Sequence, residues 1–69
     1  MSEKPASGEI YFEYTVHGTF AKVTAIDAES GIEASVVGPR AAAQAELERL
    51  ALKKLGFIRE KRERSGGFA

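Results

Sequence analysis

Thr19 to Asp27, TFAKVTAID, decides the fold, because among the candidate strands it alone has a turn signal on each side. Its side chains alternate. Ala21, Val23 and Ala25 fall on one side, and Phe20, Lys22, Thr24 and Ile26 on the other, the period-two pattern of a strand within a sheet. Upstream, Glu9 to Val16 (EIYFEYTV) repeats the pattern, with Ile10, Phe12, Tyr14 and Val16 opposed to Tyr11, Glu13 and Thr15. His17-Gly18 between them reads as a two-residue type I′ loop, since Gly accepts positive φ and His accepts it better than most side chains. That loop sets Val16 opposite Thr19, Tyr14 opposite Ala21, Phe12 opposite Val23 and Ile10 opposite Ala25. On the outer face it also pairs Glu13 with Lys22, unlike charges worth a few tenths of a kcal/mol.

Downstream, Asp27-Ala28-Glu29-Ser30-Gly31 is a second turn, with Gly31 at its left-handed position. Taking Ala28 to Gly31 as the loop, Asp27 faces Ile32, Ala25 faces Ala34 and Val23 faces Val36. Ile32 to Val37 is then the third strand of an antiparallel meander in the order 1-2-3.

Gly38-Pro39 closes that strand and opens a helix, Pro being favoured at a first helical position. From Arg40 onward the residues are mostly strong helix formers. Ala43, Leu47, Leu50, Ala51 and Leu55 form one stripe that Phe57 and Ile58 extend, and this stripe covers the sheet against Phe12, Tyr14 and Val36. Two endings are open. The helix stops at Leu55 with Gly56 as its C-cap, or it continues to about Arg64, supported by the i,i+4 pairs Arg59–Glu63 and Glu60–Arg64 and stopped by Ser65-Gly66-Gly67. Continuation is preferred, which carries the last turns beyond the sheet, where protein partners can dock. The expected fold is α+β, βββα, with the helix on one face. Residues 1–8 are a disordered leader, 9–58 the single domain, and 59–69 a charged tail.

The chain's 69 residues allow one domain, and a domain so short hides only about 60% of the surface its unfolded chain exposes. Small domains add disulfides, metals or oligomerisation; with no cysteine, self-association is the remaining support. Ten basic and ten acidic residues balance, which argues against strong phosphate attraction. The basic excess lies in the tail, at Arg59, Lys61, Arg62 and Arg64. Neither a signal-peptide core nor a run of apolar residues long enough to span a bilayer is present, so the expected setting is soluble and cytoplasmic, with no membrane.

Little chemistry is on offer. His17 is the only imidazole and reads as a turn residue without metal or catalytic neighbours. Gly38-Pro39-Arg40 could hold an anion at a helix start, but a plain strand-to-helix connection is the better reading, since Pro removes a donor. Glu9, Glu13, Glu33 and Asp27 read as solvated surface, because acid–base catalysis needs carboxyls in a pocket. No catalytic, cofactor-binding or metal residue is nominated, and no cofactor is expected. The sheet face opposite the helix is more informative. It groups Tyr11, Phe20, Ile26 and Val37 with Lys22 and Thr24, and grouped apolar residues on so small a domain suggest an interface.

GPRAAAQAELERLALKKLG after three strands resembles the second half of a double-stranded-RNA-binding domain. Arg40-Ala41-Ala42-Ala43 stand where that family has its phosphate-gripping lysines, and the family's preceding helix is absent. IYFEYTVHGTFAKVTAIDAESGIEASVVGP with LERLALKKL resembles a family of short uncharacterised bacterial proteins, mainly alphaproteobacterial, a resemblance that implies a stand-alone protein and no particular activity. The functional expectation is a non-enzymatic interaction module that forms a homodimer or binds another protein through Tyr11, Phe20, Lys22, Thr24, Ile26 and Val37. The alternative is RNA or single-stranded nucleic acid stacked on Tyr11 and Phe20 beside Lys22.

Overall fold

The computed structural model describes residues 9–66, with side chains to residue 62. Three strands, β1 (Ile10–His17), β2 (Phe20–Asp27) and β3 (Glu33–Pro39), form one antiparallel sheet ordered β1-β2-β3, followed by helix α1 (Gln44–Gly66). The expected βββα meander is therefore the fold, and Met1 to Gly8, read as a leader, lies outside the described residues.

The β2–β3 register agrees with the sequence reading, Val23 opposite Val36 and Ala25 opposite Ala34. Gly31 takes φ 78°, as a four-residue loop over 28–31 requires. The first hairpin is different. Its loop is Gly18-Thr19, with His17 opposite Phe20, Val16 opposite Ala21 and Tyr14 opposite Val23. Gly18 has φ 62° and, among the described residues, none other than glycine has positive φ, the pattern of a type II′ turn, which needs a left-handed residue only at its first central position. A type I′ turn at His17-Gly18 would have forced His17 there as well. The slip is two residues, so every side chain keeps its face, but the partners change. Glu13 now faces Thr24, and Lys22 faces Thr15 and Val37, so the expected Glu13–Lys22 pair is not formed directly across the ladder.

Pro39 belongs to β3 and not to the helix. Its carbonyl accepts from the Ala42 N–H at 2.9 Å, which turns the chain, and α1 starts only after Ala43, whose carbonyl accepts from Glu46 and Leu47. The helix then runs through Gly56 without a break. A mid-helix glycine costs about 1 kcal/mol relative to alanine, less than is gained by burying apolar side chains such as Leu55 and Ile58 on either side of it.

Ala21, Val23, Ala25, Ala34, Leu47, Ala51 and Leu55 make up the buried core, with Ile10, Tyr14, Ile32, Val36, Ala42 and Ile58 packed against it. Small residues on both partners let helix and sheet come close. At Gly38 the approach leaves no room for a side chain: an added Cβ would lie 2.7 Å from Leu47 Cδ2. Leu50 and Phe57, expected on the buried stripe, are exposed, because the stripe centred on Leu47, Ala51, Leu55 and Ile58 leaves them on the flank.

Two substitutions test this packing with opposite signs in a denaturant titration. Gly38→Val drives its side chain into buried Leu47 and lowers stability by about 1–3 kcal/mol. Ala43→Ser places a hydroxyl at the N-cap three residues before Glu46, completing a capping box, and raises stability by about 0.5–2 kcal/mol.

Candidate functional site

Six residues were singled out by sequence: Tyr11, Phe20, Lys22, Thr24, Ile26 and Val37. All lie on the sheet face away from α1, since the buried Ala21, Val23 and Ala25 take the helix side of β2. The ladder brings Tyr11 beside Ile26, Lys22 beside Val37, and Phe20 beside His17 and Pro39. Tyr11, Phe20 and Val37 are exposed, Ile26 is half-buried, and Lys22 is exposed. Thr24 is buried, its Oγ1 2.8 Å from Ser35 Oγ across the strands, so it ties β2 to β3 rather than facing a partner. His17, expected in the turn, is the last residue of β1. Its ring stacks on Phe20 with centroids 5.5 Å apart, and Nε2 lies 3.2 Å from Thr15 Oγ1.

Periodicity did not reveal two further residues. Phe12 and Val16 share a side with the helix, and Phe12 was expected against it, yet they are 39% and 41% exposed. The cause is width. A helix about 10 Å across covers two strands spaced about 4.8 Å apart, and α1 sits over β2 and β3, where alanines and Gly38 permit close approach. A single 3.6-period stripe in the sequence was the available signal that one strand would stay uncovered.

The two sheet edges differ. Ala28 N–H donates to the Glu9 carbonyl at 3.1 Å, and alternation along an antiparallel pair then turns the backbone groups of Ile10, Phe12, Tyr14 and Val16 outward from β1. Asp27 N–H donates to the Ile32 carbonyl at 2.9 Å, which by the same alternation turns Glu33, Ser35, Val37 and Pro39 outward from β3. On β3 that edge is occupied: Lys54 Nζ donates to the Ser35 carbonyl at 2.8 Å, and Pro39 has no N–H to offer. Among the described residues, nothing similar covers the outward groups of Phe12, Tyr14 and Val16.

At the far end of the sheet, Asp27 corrects the reading of surface carboxylates. It shares the helix side with Ala21, Val23 and Ala25, and its side chain is buried. Its Oδ1 accepts from the Glu29 N–H at 3.0 Å, its Oδ2 from the Ser30 hydroxyl at 2.9 Å, and Arg59 Nε of the helix lies 3.2 Å from Oδ2. The Glu29 N–H bond is the main cause holding the carboxyl below its usual range. Desolvation opposes it, and the Ser30 hydroxyl and Arg59 guanidinium add to it. Arg59 is thus committed to Asp27, while the side chain of Glu63, its expected partner, lies outside the described set, as does that of Arg64. Asp27, Glu29, Ser30, Ile32, Arg59 and Arg62 line an open depression of about 390 Å³. No buried side-chain polar atom among the described residues lacks a partner, so no buried polar group of that depression is left aimed at a ligand. Nor do the described residues hold a group of three potential metal ligands, and none of their helices is long and apolar enough to cross a membrane.

A family model matches residues 7–62, which takes in all three strands and most of the helix. The chain belongs to the family described as Domain of unknown function (DUF6898). The match spans β1 and its exposed residues together with the Asp27–Arg59 pair, so both features lie within the family's domain. No curated protein and no solved structure gives a significant match.

The position of Asp27 predicts an acid limb in stability. Its folded-state pKa lies below the unfolded one, so its contribution is complete above the unfolded value of about 3.9 and is lost as pH falls through the folded-state value. Chemical denaturation followed from neutral to acid pH should show this fall in the native chain and a flatter one in Asp27→Asn, which also detaches Arg59.

Proposed function

We propose that the protein is a non-enzymatic interaction module that associates with itself through β1. The exposure of Phe12 and Val16 beside a strand edge with outward-facing backbone groups carries this reading. Monomeric domains blunt long apolar edges with lysine, proline or covering elements, as β3 is blunted here by Lys54 and Pro39. β1 is eight residues long and its outward positions are Ile10, Phe12, Tyr14 and Val16, without a charge among them.

A second copy is the simplest cover for such an edge, because a two-fold contact needs only the surface the chain already has. A core built from four alanines, one valine and two leucines is small, so burying Phe12 and Val16 between copies adds apolar area that one chain does not supply. Phe20 and Val37, on the far face, stay exposed in this arrangement and form the surface offered to another protein. Nucleic acid is the less favoured partner: Lys22 shares that face with Glu13 and Glu33, so a phosphate backbone finds little net attraction. Localisation in the cytoplasm fits this reading.

Sedimentation of the full chain at tens-of-micromolar concentrations tests the proposal. Concentration-dependent dimerisation is expected, weakened by about tenfold or more, some 1.4 kcal/mol, in Phe12→Ser and little changed in Phe20→Ser. A strict monomer overturns self-association. Salt-dependent binding of single-stranded RNA that is lost in Tyr11→Ala would favour the nucleic-acid reading instead.

A further inference from the structure

Resting on self-association through β1, we infer that the dimer is a continuous six-stranded antiparallel sheet in which Tyr14 lies opposite Tyr14 of the second copy. Four observations lead to this register. The edge groups of β1 that point outward belong to Ile10, Phe12, Tyr14 and Val16, so an added antiparallel strand must bond to these residues. A second copy of β1 meets that requirement only when even-numbered residues face even-numbered residues, which places the two-fold axis beside one residue of the strand.

Overlap is greatest, seven residues in each strand, when that residue is Glu13 or Tyr14; any other choice shortens the overlap. The Glu13 axis pairs all four outward residues, and the Tyr14 axis pairs Phe12, Tyr14 and Val16 and leaves Ile10 beyond the ladder. Charge then separates the two. An axis at Glu13 sets the two Glu13 carboxylates directly opposite each other on the far face, a destabilising arrangement. An axis at Tyr14 moves Glu13 opposite Thr15, a neutral hydroxyl residue, and removes the repulsion. The apolar side agrees. With the axis at Tyr14, Phe12 of each copy lies opposite Val16 of the other, so the two large apolar residues that α1 leaves exposed on its own side of the sheet cover one another. An aromatic opposite a β-branched residue is among the favourable cross-strand pairs.

β3 cannot take this role. Pro39 lacks a donor, the Ser35 carbonyl is already bonded to Lys54, and Glu33 carries a charge, so a copy added there would lose ladder bonds at Pro39 and Ser35 and set a charge at Glu33. Peptide addition by an unrelated protein would use the same β1 groups but would leave the native chain monomeric in sedimentation.

The chain has no cysteine, which allows the register to be read directly by engineered disulfides. Glu13 and Thr15 would be a non-hydrogen-bonded pair across the interface, with Cα atoms about 4.5 Å apart, inside the range a disulfide spans. An equimolar mixture of the full-length variants Glu13→Cys and Thr15→Cys, oxidised mildly at a concentration where the native chain is dimeric, should give the mixed disulfide dimer. Its yield should exceed that of a cross-link from either variant alone by about tenfold, as expected where only the mixed pair meets the geometric limits. Mass spectrometry identifies the mixed species by its mass. A mixed disulfide between Tyr11→Cys and Thr15→Cys, variants that keep both Glu13 carboxylates, would place the axis at Glu13 and overturn the register, as cross-linking of Thr15→Cys with itself would place it at Thr15. Dimers by sedimentation without any cross-link overturn the Tyr14 register while leaving self-association standing. A native chain that stays monomeric overturns both.

Discussion

The close approach of α1 to β2 and β3 is the constraint on which the rest depends. Ala21, Ala25, Ala34 and Ala51 leave no bulk between helix and sheet, and Gly38 lets Leu47 sit where even a methyl group would collide. Close approach gives dense packing for a chain that has few large core residues, since dispersion falls off steeply with separation. It also fixes the lateral position of the helix. A helix drawn down onto the alanines of β2 and the glycine of β3 cannot also lie over β1.

From that offset come both the narrow covered core and the exposed strand on which the proposed self-association rests. Ile10 and Tyr14 reach the core from β1, but Phe12 and Val16 do not, and the β1 edge keeps its hydrogen-bonding groups turned outward. On the opposite edge the same helix supplies Lys54 to the Ser35 carbonyl, so one element closes β3 and leaves β1 open. The Asp27–Arg59 pair anchors the helix at the other end of the sheet, joining the 28–31 loop to α1 through a buried carboxylate that the loop itself holds ionised. This end of the molecule is held by its own hydrogen bonds and ion pair, and the asymmetry between the edges is what the proposed function rests on.

Much of the fold was legible in the sequence, and the limits have physical causes. Period-two alternation and the glycine of the 28–31 loop defined the meander and the β2–β3 register, because Gly31 could occupy only the left-handed corner of that loop. The first hairpin was ambiguous. His17-Gly18 and Gly18-Thr19 both supply a glycine to a two-residue loop, and only the number of positive-φ residues separates type I′ from type II′. Pro39 misled because it is as acceptable at the outer edge of a strand, where no N–H is needed, as at a helix start. Asp27 was mistaken for surface, although its place after Ala21, Val23 and Ala25 put it on the helix side. A carboxylate there needs donors; the 28–31 loop supplies the Glu29 N–H and the Ser30 hydroxyl, and Arg59 of the helix adds its charge. The six-residue surface at Tyr11, Phe20, Lys22, Thr24, Ile26 and Val37 followed from parity, but the exposure of Phe12 and Val16 did not. Parity assigns a face and says nothing of how much of that face a single helix can cover.

Amide hydrogen exchange followed residue by residue at two protein concentrations tests the central claim most directly. If β1 is the self-association edge, the N–H groups of Phe12, Tyr14 and Val16 exchange quickly when the chain is dilute and become protected when it is concentrated, while those of Ser35 and Val37 on the β3 edge exchange alike in both. Equal and rapid exchange at Phe12, Tyr14 and Val16 at both concentrations would contradict the account.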